Sequence, residues 1–102
     1  MIRYLVLVVV LGAAQAAAAA DLTPEQLRTL RDAQELYAQQ KYTEAAQGFE
    51  RILSKHPDLG DVHRFLGHSY YGLSEFAKAR KSYGQALASG SFSHDILVRL
   101  AQ

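Results

Sequence analysis

From Thr23 onward, apolar and polar positions alternate with a helical period in four stretches. Leu27, Leu30, Ala33, Leu36 and Tyr37 recur at helical spacing and share one face. Thr23 suits the N-cap of this stretch, Pro24 its first position, and Gln26 completes a capping box three residues on. The polar run Gln39-Gln40-Lys41 predicts a turn. A second helix follows over about Thr43 to Lys55, with Ala45, Ala46, Phe49, Ile52 and Leu53 on one face. Pro57 disfavours helix at His56, and Asp58 to Gly60 reverse the chain. A third helix runs from about Asp61 to Leu73 and carries Val62, Phe65, Leu66, Ser69 and Tyr70. A fourth spans about Glu75 to Ala88, with Phe76, Ala79, Tyr83, Ala86 and Leu87, and Ser89-Gly90-Ser91 ends it.

The second pair of helices repeats the first at an offset of 34. Ala33 falls on Gly67, Tyr37 on Tyr71, Tyr42 on Phe76, Ala45 on Ala79, Phe49 on Tyr83 and Leu53 on Leu87. Small meets small and ring meets ring. Paired helices approach closely only where side chains are short, and Ala33, Ala45, Gly67 and Ala79 supply those places. Phe49 and Tyr83 fill the space between neighbouring hairpins.

This period and these residues resemble the tetratricopeptide repeat, whose pattern is W-x2-L-G-x2-Y, then A-x3-F, then P. The second copy has Leu66-Gly67-x-x-Tyr70 and Ala79-x3-Tyr83, with His63 in place of Trp. The first copy has Tyr42, Ala45-x3-Phe49, Ile52 and Pro57, with Asp32-Ala33 in place of Leu-Gly and Leu36 in place of Tyr. The resemblance covers about residues 26–93. It implies an all-α fold, an antiparallel helix-turn-helix α-solenoid with repeat 1 over about 26–59 and repeat 2 over about 60–93. Residues 94–102 continue the register as a short capping helix with Ser93 as its N-cap. There, Ile96, Leu97 and Leu100 are expected to cover the open end of the second repeat, and Asp95, Arg99 and Gln102 to face water. Arrays of this kind usually need three or more units. Two plus a cap predict low stability, or burial gained from self-association or a partner.

The first twenty residues follow a different rule. Met1-Ile2-Arg3 is a basic start, Tyr4 to Leu11 an unbroken apolar run, and Ala13 to Ala20 a stretch of small residues with Gln15 among them. That order is the pattern of a secretory signal peptide over residues 1–20, with cleavage expected after Ala20 and a mature domain over 21–102. An uncleaved membrane anchor is the alternative reading, although Leu5 to Ala20 falls short of the roughly 20 apolar residues a spanning helix needs. Export and the lack of cysteine together suit a periplasmic or secreted bacterial protein.

Charge and chemistry narrow the function. The chain of 102 residues carries 11 Lys+Arg against 10 Asp+Glu, a net charge of +1. Loss of Arg3 with the leader removes even that, which leaves no electrostatic case for nucleic acid or anionic lipid. The absence of cysteine excludes disulfides and thiol catalysis. His63 and His68 are five apart and point in different directions, and neither a G-x-S-x-G elbow, an S-x-x-K motif nor a glycine-rich phosphate loop is present. The expectation is a non-enzymatic protein with no catalytic residue, no metal, no cofactor and no small-molecule substrate.

The resemblance implies a concave face lined by the first helix of each repeat. Its positions map onto Leu27, Leu30, Gln34, Tyr37 and Ala38 in repeat 1, and onto Asp61, Arg64, His68, Tyr71 and Gly72 in repeat 2. Arg64, His68 and Tyr71 stand at i, i+4 and i+7 and share one stripe, and Tyr37 is expected beside Tyr71. Gln34, Tyr37, Arg64, His68 and Tyr71 are thus the candidate groove for a protein or extended peptide partner. Arg64 would take a carboxylate there, and the tyrosines would pack apolar groups. The Lys and Asn with which some family members grip a C-terminal carboxylate are replaced here by Leu30 and Gln34. Relatives by resemblance serve outer-membrane protein assembly, cell division, cytochrome maturation, pilus and secretion machinery. Two functional classes follow: a binding module of the bacterial cell envelope, or a structural subunit whose repeat faces stack into a homo-oligomer. A third, an enzyme subunit or metal carrier, has only the histidines in support.

Overall fold

The computed structural model describes residues 22–90 and 99–100. Among the described residues, four helices lie between Pro24 and Ala88, residues 99–100 are also helical, and no strand is present. The four are α1 (Pro24–Ala38), α2 (Tyr42–Lys55), α3 (Gly60–Gly72) and α4 (Phe76–Ala88). Each packs on the next in sequence, so α1–α2 and α3–α4 form two hairpins joined through α2–α3. This is the all-α repeat architecture expected, with helix bounds within one residue of the periodicity. The expected leader, residues 1–20, and the Ser93 cap with Asp95, Ile96, Leu97 and Gln102 lie outside the described residues.

The capping box forms as read. The Gln26 N–H donates to Thr23 Oγ1 at 3.1 Å, and the Thr23 N–H donates to Gln26 Oε1 at 2.9 Å. The same Oε1 lies 3.0 Å from His56 Nε2, which ties the end of α2 to the start of α1.

Both hairpin turns have one construction, 34 residues apart. Gln40 and Ser74 adopt left-handed backbone, with φ of 64° and 60°. The Gln40 N–H donates to the Tyr37 carbonyl and the Lys41 N–H to the Leu36 carbonyl. Ser74 and Glu75 donate likewise to Tyr71 and Tyr70. These are paired 5→2 and 6→1 bonds, which satisfy carbonyls that the helix end leaves open. Each hairpin thus closes through the same turn construction.

The core has two linked parts. The first gathers Ala33, Ala45, Ala46, Phe49, Ile52, Leu53, Val62 and Leu66, with Leu22 from the segment before α1. The second gathers Ala79, Tyr83 and Ala86, with Leu87 and Leu100 against it. Tyr70 packs against both. Its hydroxyl donates to Glu50 on α2, a tie between the two hairpins. The short residues act as expected. A Cβ on Gly67 would stand 2.6 Å from the Tyr83 ring, and one on Gly48 2.8 Å from the Ala33 Cβ. Gly48 is a close-approach site that the repeat register did not single out.

His63, in the place where the repeat pattern has Trp, is buried. Its Nε2 lies 2.8 Å from the Pro57 carbonyl oxygen. A carbonyl only accepts, so Nε2 carries the proton. The imidazole thus pins the turn between the hairpins with one bond, and among the described residues the buried Nδ1 has no partner.

Candidate binding groove

α1 and α3, the first helices of the two hairpins, meet through rings. Tyr37 of α1 lies 6.1 Å from Phe65 and 6.2 Å from His68, both on α3. That contact sets the two helices side by side and brings their stripes together. Gln34 is exposed one turn before Tyr37, and Tyr37 itself is half-buried.

The stripe on α3 is less uniform than its spacing suggests. Arg64 is half-buried; its guanidinium sits 5.1 Å from the Phe65 ring centroid and 3.9 Å from the Asp61 carboxylate. It is a cation held over an aromatic face and kept in place by an exposed acid. Tyr71 packs edge-on against Phe76 at 5.2 Å, with the Arg99 guanidinium 4.1 Å over its ring.

His68 departs from the expectation of an imidazole offered to a ligand. It is only 7% exposed. Its Nδ1 is hydrogen-bonded to the Tyr83 hydroxyl at 2.6 Å, with the rings 5.2 Å apart. The cause is reach: Tyr83 comes across from α4 over the bare Gly67 and places its hydroxyl on the imidazole. His68 therefore forms the floor between Tyr37 and Tyr83, and Gln34, Arg64 and the tyrosine edges form the accessible part.

Tyr37 and Tyr71 occupy equivalent ring clusters in the two repeats. Tyr37 packs on Tyr42 at 5.7 Å, as Tyr71 packs on Phe76. Each tyrosine ends its own helix and meets the ring that opens the next. Arg99, expected in water, instead covers Tyr71.

Cavities also open beside α4. One of about 310 Å3 is lined by Tyr71, Phe76, Ala79, Arg80, Tyr83 and Arg99. Phe76, Arg80 and Arg99 were missed as site residues, although their spacing from Tyr42, Ala46 and Phe65 was available as a signal. The other, about 350 Å3, opens between α2 and α4 beside Glu50, Tyr70, Glu75 and Lys78. Lys78 already supplies a cation there, 3.8 Å from Glu75 and 5.5 Å from the Tyr70 centroid.

Among the described residues, no group of three or more His, Asp or Glu could hold a metal ion. Among them also, no helix is long and apolar enough to cross a membrane.

With this geometry in view, comparison with known proteins is specific for the repeat. A family model described as tetratricopeptide repeat matches residues 30–93 and again 66–102, together more than half of the chain. No curated protein and no solved structure matches the chain.

Proposed function

Because the chain belongs to the tetratricopeptide repeat family, whose members generally mediate protein–protein contacts and are typically non-catalytic, we propose that it is a non-enzymatic binding module of the bacterial cell envelope. It holds a partner protein or extended peptide on the face shared by α1 and α3. One observation carries this reading: the Tyr37–His68 contact at 6.2 Å, which joins the two polar-aromatic stripes into one surface. Exposed Gln34 on α1 and half-buried Arg64 on α3 offer polar contacts to a backbone or a carboxylate, and the ring edges pack apolar groups. The envelope location rests on the leader pattern of residues 1–20, with a retained N-terminal anchor as its alternative.

The test is site-specific photocrosslinking in cells. A photoreactive residue replaces Gln34, with Arg64→Ala and Tyr71→Ala introduced separately. The expected result is a discrete crosslinked partner whose yield falls in both variants while helicity is unchanged. Equal yield in both variants refutes the groove. A crosslink only to a second copy of the chain transfers the assignment to a self-associating subunit.

A further inference from the structure

The two repeats present the same six positions at the seam after each hairpin, and the seams differ in a specific way. At the first seam the positions are Tyr37, Tyr42, Ala45, Ala46, Phe49 and Phe65; adding 34 gives Tyr71, Phe76, Ala79, Arg80, Tyr83 and Arg99. Among the described residues, the second set lines the 310 Å3 cavity.

The first seam is packed. Ala45, Ala46 and Phe49 are buried, and Phe65 stacks on Phe49 at 5.6 Å while meeting Tyr37 edge-on. At the second seam the floor keeps its character, with Ala79 and Tyr83 buried. Two positions change. Ala46 becomes Arg80, which is exposed, and Phe65 becomes Arg99, which lies over Tyr71. The flat ring that closes the first seam is thus replaced by a guanidinium, and the space stays open. Phe76 at its lip is 53% exposed.

We propose that this cavity is a binding site for a peptide segment that presents a carboxylate side chain beside an apolar one. Charge complementarity identifies the occupant. Among the described residues, both charged lining groups are cations, no carboxylate lines the cavity, and neither Arg80 nor Arg99 is in an ion pair. Arg99 spends one flat face on Tyr71, which leaves its N–H fork in the plane where a carboxylate is held by two bonds. Tyr71, Phe76 and the Tyr83–Ala79 floor provide the apolar part. A volume near 310 Å3 is at the small end of ligand pockets and suits one or two side chains of a longer partner. Aromatic residues and arginine around a buried floor are also the composition of interface hot spots.

This inference rests on the reading of the chain as a peptide-binding module, and adds an anchor built on α4 and Arg99 beside the α1–α3 face. The probe is a blocked tetrapeptide, acetyl-alanyl-phenylalanyl-glutamyl-alanine amide, with its glutamine counterpart. Each is titrated into the full chain and followed by NMR. The glutamate peptide is expected to shift signals of Phe76, Ala79, Arg80 and Arg99, and the glutamine peptide to bind about tenfold more weakly.

Arg80→Ala with Arg99→Phe installs the first seam's residues. It is expected to abolish binding while thermal stability holds or rises. Arg80→Gln, at an exposed position, gives an independent loss of affinity if the double variant fails to fold. Equal binding of the two peptides overturns the proposal, as does wild-type binding by both Arg80 variants. Cavity signals that move with protein concentration alone also overturn it, since a second copy is then the occupant. Shifts confined to Gln34 and Arg64 overturn the cavity and leave the α1–α3 reading standing. Cavity binding without any Arg64-dependent crosslink at Gln34 does the reverse.

Discussion

Two glycines on adjacent helices make a matched test of the packing. Gly67 on α3 and Gly84 on α4 are both in helix interiors, where alanine is favoured by about 0.8–1 kcal/mol on propensity alone. Their surroundings are opposite. A Cβ at Gly84 meets nothing within 4 Å, so Gly84→Ala should simply gain that propensity. A Cβ at Gly67 would lie 2.6 Å from Cδ1 and Cε1 of Tyr83. Carbon atoms settle about 3.5–4 Å apart, so the ring must retreat by roughly 1 Å. Tyr83 is only 1% exposed and its hydroxyl is held by His68, so it has little room to do so. Overpacking of this kind costs about 1–3 kcal/mol. Net of propensity, Gly67→Ala should be destabilising by up to about 2 kcal/mol. The two variants should then differ by about 1–3 kcal/mol, or upward of about 4 °C in melting temperature for a domain this small. Urea and thermal unfolding followed by circular dichroism read this directly. Equal stabilisation by both substitutions would refute the claim that α3 and α4 are held together across Gly67.

The other predictions concern turns, caps and the buried bond. Gln40→Gly and Ser74→Gly each relieve a left-handed L-residue and should stabilise by about 1 kcal/mol, visible as higher urea midpoints with unchanged slope. Thr23→Ala removes one half of the capping box and should cost about 1 kcal/mol, with hydrogen exchange accelerated first in the opening turn of α1. Tyr83→Phe deletes the hydroxyl on His68 and should cost about 1–2 kcal/mol, with the His68 imidazole signals displaced in NMR.

Much of the fold was legible because it depends on residues close in sequence. Thr23, Pro24 and Gln26 define a helix start by chemistry that operates over four residues, and the box forms as read. The 34-residue register carried over into backbone geometry, down to the paired φ values of Gln40 and Ser74. The groove was less legible. Helical spacing places Arg64, His68 and Tyr71 on one stripe, but exposure depends on what arrives from another helix. Tyr83 reaching over Gly67 buries His68, and nothing in α3 itself announces that. Arg99 misled for a related reason. A charged residue near a chain end reads as solvated, whereas its register partner Phe65 marks it as a seam residue. Arg80 and Arg99 stand out only where the 34-residue offset pairs unlike residues, Ala46 with Arg80 and Phe65 with Arg99.

The strictly sequential packing of the helices also bears on how the molecule is made. Among the described helices, every substantial contact joins neighbours in the chain: α1 with α2, α2 with α3, α3 with α4. Loop closure is therefore cheap at each step, and such topologies fold quickly because no contact must wait for a distant segment. A chain delivered from its N-terminus, from a ribosome or through a translocation pore, can close the α1–α2 hairpin before α4 has emerged. What that first hairpin lacks is its apolar cover, since Phe49 stacks on Phe65 and Ile52 and Leu53 share a core with Val62 and Leu66. The nascent molecule thus passes through a vulnerable interval, between the emergence of Leu53 and that of Leu66, in which the apolar face of α2 stands uncovered.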